Sequence, residues 1–134
     1  MIERIDEQAP GYAHGQIPGS LELAYLGDTV YDLYVRRRLV ARGGRMKQLN
    51  AMAAAQVCAH AQACAFDRVE GALNEEEAAV ARRARNAKLH PPRHADPAEY
   101  QRASALEALV GYLYIMGRAK RLDEIMRLAL DGFF

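Results

Sequence analysis

The sequence predicts an all-α protein of about five to seven helices. Apolar residues recur every three to four positions through most of residues 20–130, the period of a helix with one face in a core. No segment alternates apolar and polar residues convincingly enough to be a strand. Helix punctuation falls where the periodic segments begin and end. Ser20, Asn74 and Asp96 stand at starts, and Gly43-Gly44, Pro91-Pro92 and Gly117 stand at ends.

Residues 1–19 contain Pro10, Gly11, Gly15, Pro18 and Gly19 and read as an irregular N-terminal arm, which leaves 20–134 as one folded domain. Ser20 can cap a first helix running to about Val40, with Leu23, Leu26, Val30 and Leu33 as its core stripe. Asp28 projects from another face, with Ala24, Tyr25, Tyr31 and Asp32. A second helix covers roughly Met46 to Ala65, with Leu49, Met52, Ala53, Val57 and Cys64 inside and many alanines that permit close contact. Asn74 followed by Glu75-Glu76-Glu77 is an N-cap with acids at the positive end of the helix dipole. That helix should reach about Ala87 and stop before Pro91-Pro92. Asp96-Pro97-Ala98-Glu99 reads as a capping box with proline at the first helical position, opening a helix to about Met116. Gly111 within it costs roughly 1 kcal/mol relative to Ala, which close approach of another helix would offset. A last helix, about Leu122 to Leu130, carries Leu122, Ile125, Met126 and Ala129 on one side.

A chain of 134 residues with 51% hydrophobic and 26% charged residues can bury a single core. The net charge of +1 conceals segregation. Residues 33–66 contain no acid and carry Arg36, Arg37, Arg38, Arg42, Arg45 and Lys47; residues 78–95 contain none and carry Arg82, Arg83, Arg85, Lys88 and Arg93. Local asymmetry of this kind points to a polyanionic partner, although a basic helix end such as Arg36-Arg37-Arg38 also suits the helix dipole. Cys58 and Cys64 have no metal or redox spacing and read as small packing residues in a reducing compartment. The N-terminus has no apolar core of a signal peptide, and the longest apolar run is too short to cross a membrane, so a cytoplasmic protein is expected. His14, His60, His90 and His94 read as structural or loop residues, and the tyrosines at helical spacings as packing residues with a polar tip.

Two carboxylates stand out. Asp28 and Glu107 lie in apolar helical segments with no basic neighbour within one turn, so something other than a local cation must compensate their removal from water. A lone acid of this kind is ordinarily a surface residue; two of them with basic segments between suggest a divalent-metal site that works on a polyanion.

The string Leu23-Ala24-Tyr25-Leu26-Gly27-Asp28-Thr29-Val30-Tyr31 resembles the signature helix of ribonuclease III catalytic domains. Ser104-Ala105-Leu106-Glu107-Ala108-Leu109-Val110-Gly111-Tyr112-Leu113-Tyr114 resembles their second acidic helix, and Arg85-Asn86-Ala87-Lys88 is similar to a hallmark of the compact Mini-ribonuclease III subfamily. The resemblance covers the chain from about residue 20 onward. It implies a compact ribonuclease III-like endonuclease domain, without the double-stranded-RNA-binding domain of the larger enzymes. Asp28 and Glu107 match one acid on each helix, while Ala24 and Ser104 stand where larger enzymes have further acids. Leu89-His90-Pro91-Pro92-Arg93 replaces a loop that is usually small and polar in the subfamily.

The resemblance therefore implies that Asp28 and Glu107 are the catalytic pair and jointly hold Mg²⁺. It implies cleavage of double-stranded RNA to 5′-phosphate and 3′-hydroxyl ends by a homodimer, with Arg82, Arg85, Asn86, Lys88 and Tyr100 as RNA contacts. The substrate expected is the precursor of large-subunit (23S) ribosomal RNA, with a ribosomal protein as a candidate helper. A non-catalytic RNA-binding or ribosome-assembly module with the same fold is the alternative, and a helical interaction adaptor a weaker third.

Overall fold

The computed structural model describes residues 17–87 and 90–133. Most of the expected N-terminal arm therefore lies outside the described residues. Six α-helices follow in order: α1 Ser20–Arg42, α2 Met46–Val57, α3 Ala59–Val69, α4 Glu75–Asn86, α5 Pro97–Ile115 and α6 Ala119–Ala129, with a 3₁₀ turn Glu70–Ala72 after α3. No strand occurs among the described residues. None of their helices is long and apolar enough to cross a membrane.

Helix α5 is the axis of the fold because its sequence is apolar nearly all round. From Ala103 to Leu113 every residue is buried except Glu107. Helices α1, α3 and α4 pack against it, α2 lies against α1, and α6 closes the side formed by α3 and α5. The crossing of α1 over α5 has no side chain at its centre. A Cβ on Gly27 would lie 1.7 Å from the Glu107 carbonyl oxygen, and one on Gly111 would lie 2.0 Å from the Leu23 carbonyl oxygen. Only hydrogen at both positions lets the backbones touch, which is the close approach that Gly111 predicted from sequence.

Helix α4 starts as expected: Asn74 accepts from the Glu77 N–H at 2.8 Å, and the Glu77 carboxylate accepts from the Asn74 N–H at 3.1 Å. Glu77 is fully buried and is bound by Arg121 of α6 through Nε and Nη2, each at 2.8 Å. The carbonyls at the end of α6 are closed by Arg68, which donates to Ala129 at 2.6 Å, and by Arg38, which donates to Leu130 and Phe133 at 3.2 and 2.7 Å. Arg38 is thus part of the scaffold, and Arg36 pairs with Asp32 on its own helix at 2.9 Å.

Several expectations need correction. The continuous helix over Met46 to Ala65 is broken at Cys58, whose extended backbone (φ −72°, ψ 158°) redirects the chain between α2 on α1 and α3 on α5. High helix propensity on both sides hid the break. Cys58 is exposed rather than a packing residue. Leu33 is 44% exposed and Tyr25 85%, while Tyr31 turns into the core. At α5, Asp96 accepts from the Ala98 N–H at 2.9 Å, but Glu99 pairs with His60 of α3 instead of closing a capping box. Helix α6 begins at Ala119, three residues earlier than periodicity indicated.

Candidate active site

The glycine crossing places the two singled-out acids together. Asp28 follows Gly27 on α1, and Glu107 supplies the carbonyl that Gly27 approaches on α5. Their carboxyl groups are within hydrogen-bonding reach, which no local sequence argument could establish for residues on different helices. Asp28 is exposed and Glu107 half-buried, so the burial inferred for both holds only for Glu107. The Glu107 carboxyl is pushed up from 4.5 to about 8, first by burial, then by the hydrogen bond and negative charge of Asp28.

Sequence reasoning missed a third participant. Gln62 of α3 is 3% exposed, and its amide lies against Glu107, where it favours the ionised carboxylate and so opposes part of the upward shift. Among the described residues, its Nε2 nevertheless has no hydrogen-bond partner of full geometry. A signal was present: Gln62 occupies an inner position of an alanine-rich helix, one turn before the buried Phe66. Tyr31, three residues after Asp28 on α1, is buried. Burial pushes its hydroxyl up to about 12, Arg68 and Arg38 oppose that shift, and the charges of Glu107 and Cys58 add to it.

One turn further along α3, a groove of about 410 Å³ opens between α3, α4 and α5. Phe66, Leu73, Arg82, Arg85, Asn86 and Gln101 are among its lining residues. Three expected RNA contacts, Arg82, Asn86 and Arg85, therefore share one concave surface. Arg82 and Asn86 are exposed. Arg85 is partly engaged, donating to Glu70 at 3.1 Å and lying 5.7 Å from the centre of the Phe66 ring. Tyr100 is half-buried on α5 and is not among the groove's lining residues. Lys88 lies outside the described residues.

Among the described residues, no group of three or more His, Cys, Asp or Glu side chains is arranged to hold a metal ion. The Asp28–Glu107 pair still suits a hard divalent cation. It offers carboxylate oxygens from two helices with no basic partner among the described residues, and magnesium commonly takes one or two protein carboxylates and keeps several waters.

A ribonuclease III domain matches residues 21–118, which includes both acids, Gln62 and the groove. The chain belongs to the Mini-ribonuclease III family. It is 50% identical over 113 residues to a Mini-ribonuclease 3 of Symbiobacterium thermophilum, covering 83% of this chain and 87% of that one. A Mini-ribonuclease 3 of Gloeobacter violaceus is 46% identical over 110 residues, 81% of each chain. A crystal structure of a Fusobacterium nucleatum protein superposes with a TM-score of 0.81 at 30% identity, covering 88% of this chain and 92% of that one. The protein is an endoribonuclease, and its domain class acts on double-stranded RNA and generally depends on a divalent metal.

Proposed function

We propose that Asp28 and Glu107 are the catalytic acids and hold Mg²⁺ during cleavage of duplex RNA to 5′-phosphate and 3′-hydroxyl ends. The observation that carries this reading is their convergence at the Gly27–Gly111 crossing, with no compensating cation among the described residues. A bound magnesium ion would supply Lewis-acid stabilisation of the phosphate charge and lower the pKa of water. The chain's own contribution is to hold two hard oxygens at a separation set by touching backbones. Glu107 must release its proton before both oxygens can bind a cation. The groove beside them takes the duplex backbone, with Arg82 and Asn86 donating to phosphates. Such contacts position RNA without reading its sequence, because the A-form major groove is too deep and narrow for side chains.

We place the partner subunit on the outer face of α1, where Leu21, Tyr25, Leu33 and Val40 are exposed at near-helical repeats beside Asp28. Two-fold pairing through this face sets one site against each strand of a duplex. The substrate we assign is the precursor of large-subunit ribosomal RNA in the cytoplasm, with a ribosomal protein as a candidate helper.

The test is cleavage of precursor ribosomal RNA by wild type, Asp28→Asn and Glu107→Gln, with magnesium and with EDTA, alongside sedimentation to give the mass. Wild type cuts only with magnesium and sediments as a dimer. Each variant stays folded and loses at least ~10³-fold in rate, the scale for removal of a group stabilising transition-state charge. Normal cutting by either folded variant removes that acid from the mechanism. A salt-sensitive RNA complex without cleavage by wild type would favour the binding-module alternative instead.

A further inference from the structure

A buried amide with an unpartnered N–H destabilises the fold that keeps it, so such a group calls for a reason. Gln62 is such a residue, and the group it lies against is Glu107. Helix α3, which carries Gln62, packs against α5, which carries Glu107, so the unpartnered donor is held at that helix contact.

We propose that Gln62 is a positioning residue for the Asp28–Glu107 site: its Nε2–H groups hold the Glu107 carboxylate in place when the pair binds a divalent cation. This rests on the metal-binding reading of the two acids. Groups that hydrogen-bond a ligating side chain fix its orientation, and their loss typically weakens metal affinity or activity by about 10–100-fold. Gln62 is placed for this by the break at Cys58, after which α3 packs onto α5, the helix that carries Glu107. Its side chain lies against Glu107, so its effect is on the geometry of that carboxylate.

The experiment uses Gln62→Met, with Gln62→Leu as a second apolar replacement, and reads thermal melting without RNA. Each protein is titrated with magnesium chloride from an EDTA baseline. Wild type is expected to gain melting temperature with magnesium. The Gln62 variants are expected to melt at the same temperature as wild type in EDTA or a few degrees higher, since a buried unpartnered donor has been removed. The magnesium concentration giving half their shift should rise by about 10-fold or more. Lower melting of both variants in EDTA shows a structural residue and overturns the proposal. So does a magnesium midpoint within about threefold of wild type, well below the usual loss. If wild type itself does not respond to magnesium, the two-acid reading fails first, a result distinct from failure of Gln62 alone.

Discussion

Glu77 and Glu107 are acids withdrawn from water on adjacent helices, and their surroundings are opposite. Arg121 reaches both oxygens of Glu77, and the Asn74 N–H adds a third donor, so its carboxyl sits below the usual carboxylate range despite complete burial. Glu107 is less buried, yet burial and Asp28 push it up to about 8. An acid buried with its cation is scaffold: its charge is matched and its removal would orphan the partner. An acid buried against a second acid is held in an unfavourable state by the rest of the fold, a frequent mark of a working site.

The largest expected effect breaks the contrast at its source. Gly27→Ala would force a methyl to within 1.7 Å of the Glu107 carbonyl oxygen, so α1 and α5 must separate. Chemical denaturation should show a loss of about 3 kcal/mol or more, toward the upper end for overpacking. In any folded fraction, NMR titration of Glu107 should show a lower pKa as Asp28 moves away.

Glu77→Ala comes next, with a loss of about 2–3 kcal/mol, discounted from a fully buried pair because Arg121 retains some exposure. At a temperature where the variant remains folded, its cleavage rate should match wild type. The folded pKa of Glu77 is depressed, so its contribution is present above about 4.5 and fades as pH falls below that value.

Glu107→Gln has the smallest stability effect and the opposite sign. The folded state of wild type holds the Glu107 proton more tightly than the unfolded chain. That contribution is therefore complete below 4.5 and is lost as pH rises to about 8. In EDTA the variant should match wild type near pH 4.5 and become more stable by about 1–2 kcal/mol at pH 8, as expected when a buried charge is replaced by a neutral isostere. Melting curves across that range that show no widening gap would remove the linkage.

The helices were legible from sequence wherever local chemistry marks them. Asn74 with Glu77 set the start of α4, Asp96-Pro97 the start of α5, and Gly117 at φ 71° its end. The acid pair was legible because charge inside an apolar run is conspicuous. What escaped depends on contacts between distant segments. Nothing local at Cys58 distinguishes a bend from a straight helix; tertiary packing of α3 on α5 decides it. Glu99 forgoes its own helix end because His60 arrives from α3. Arg38 reads as part of a basic helix end until α6 presents its terminal carbonyls to it. Tyr25 and Leu33 read as packing residues, yet both are exposed in the single chain.

The bare contact between Gly27 and Gly111 has a mechanical consequence. Rotamers cannot loosen a joint that contains no rotatable side chain, so the spacing between the two helices is gauged by main-chain atoms alone. Neighbouring residues can drift in size and shape without detuning that gauge. Even the smallest addition to either glycine would jam it.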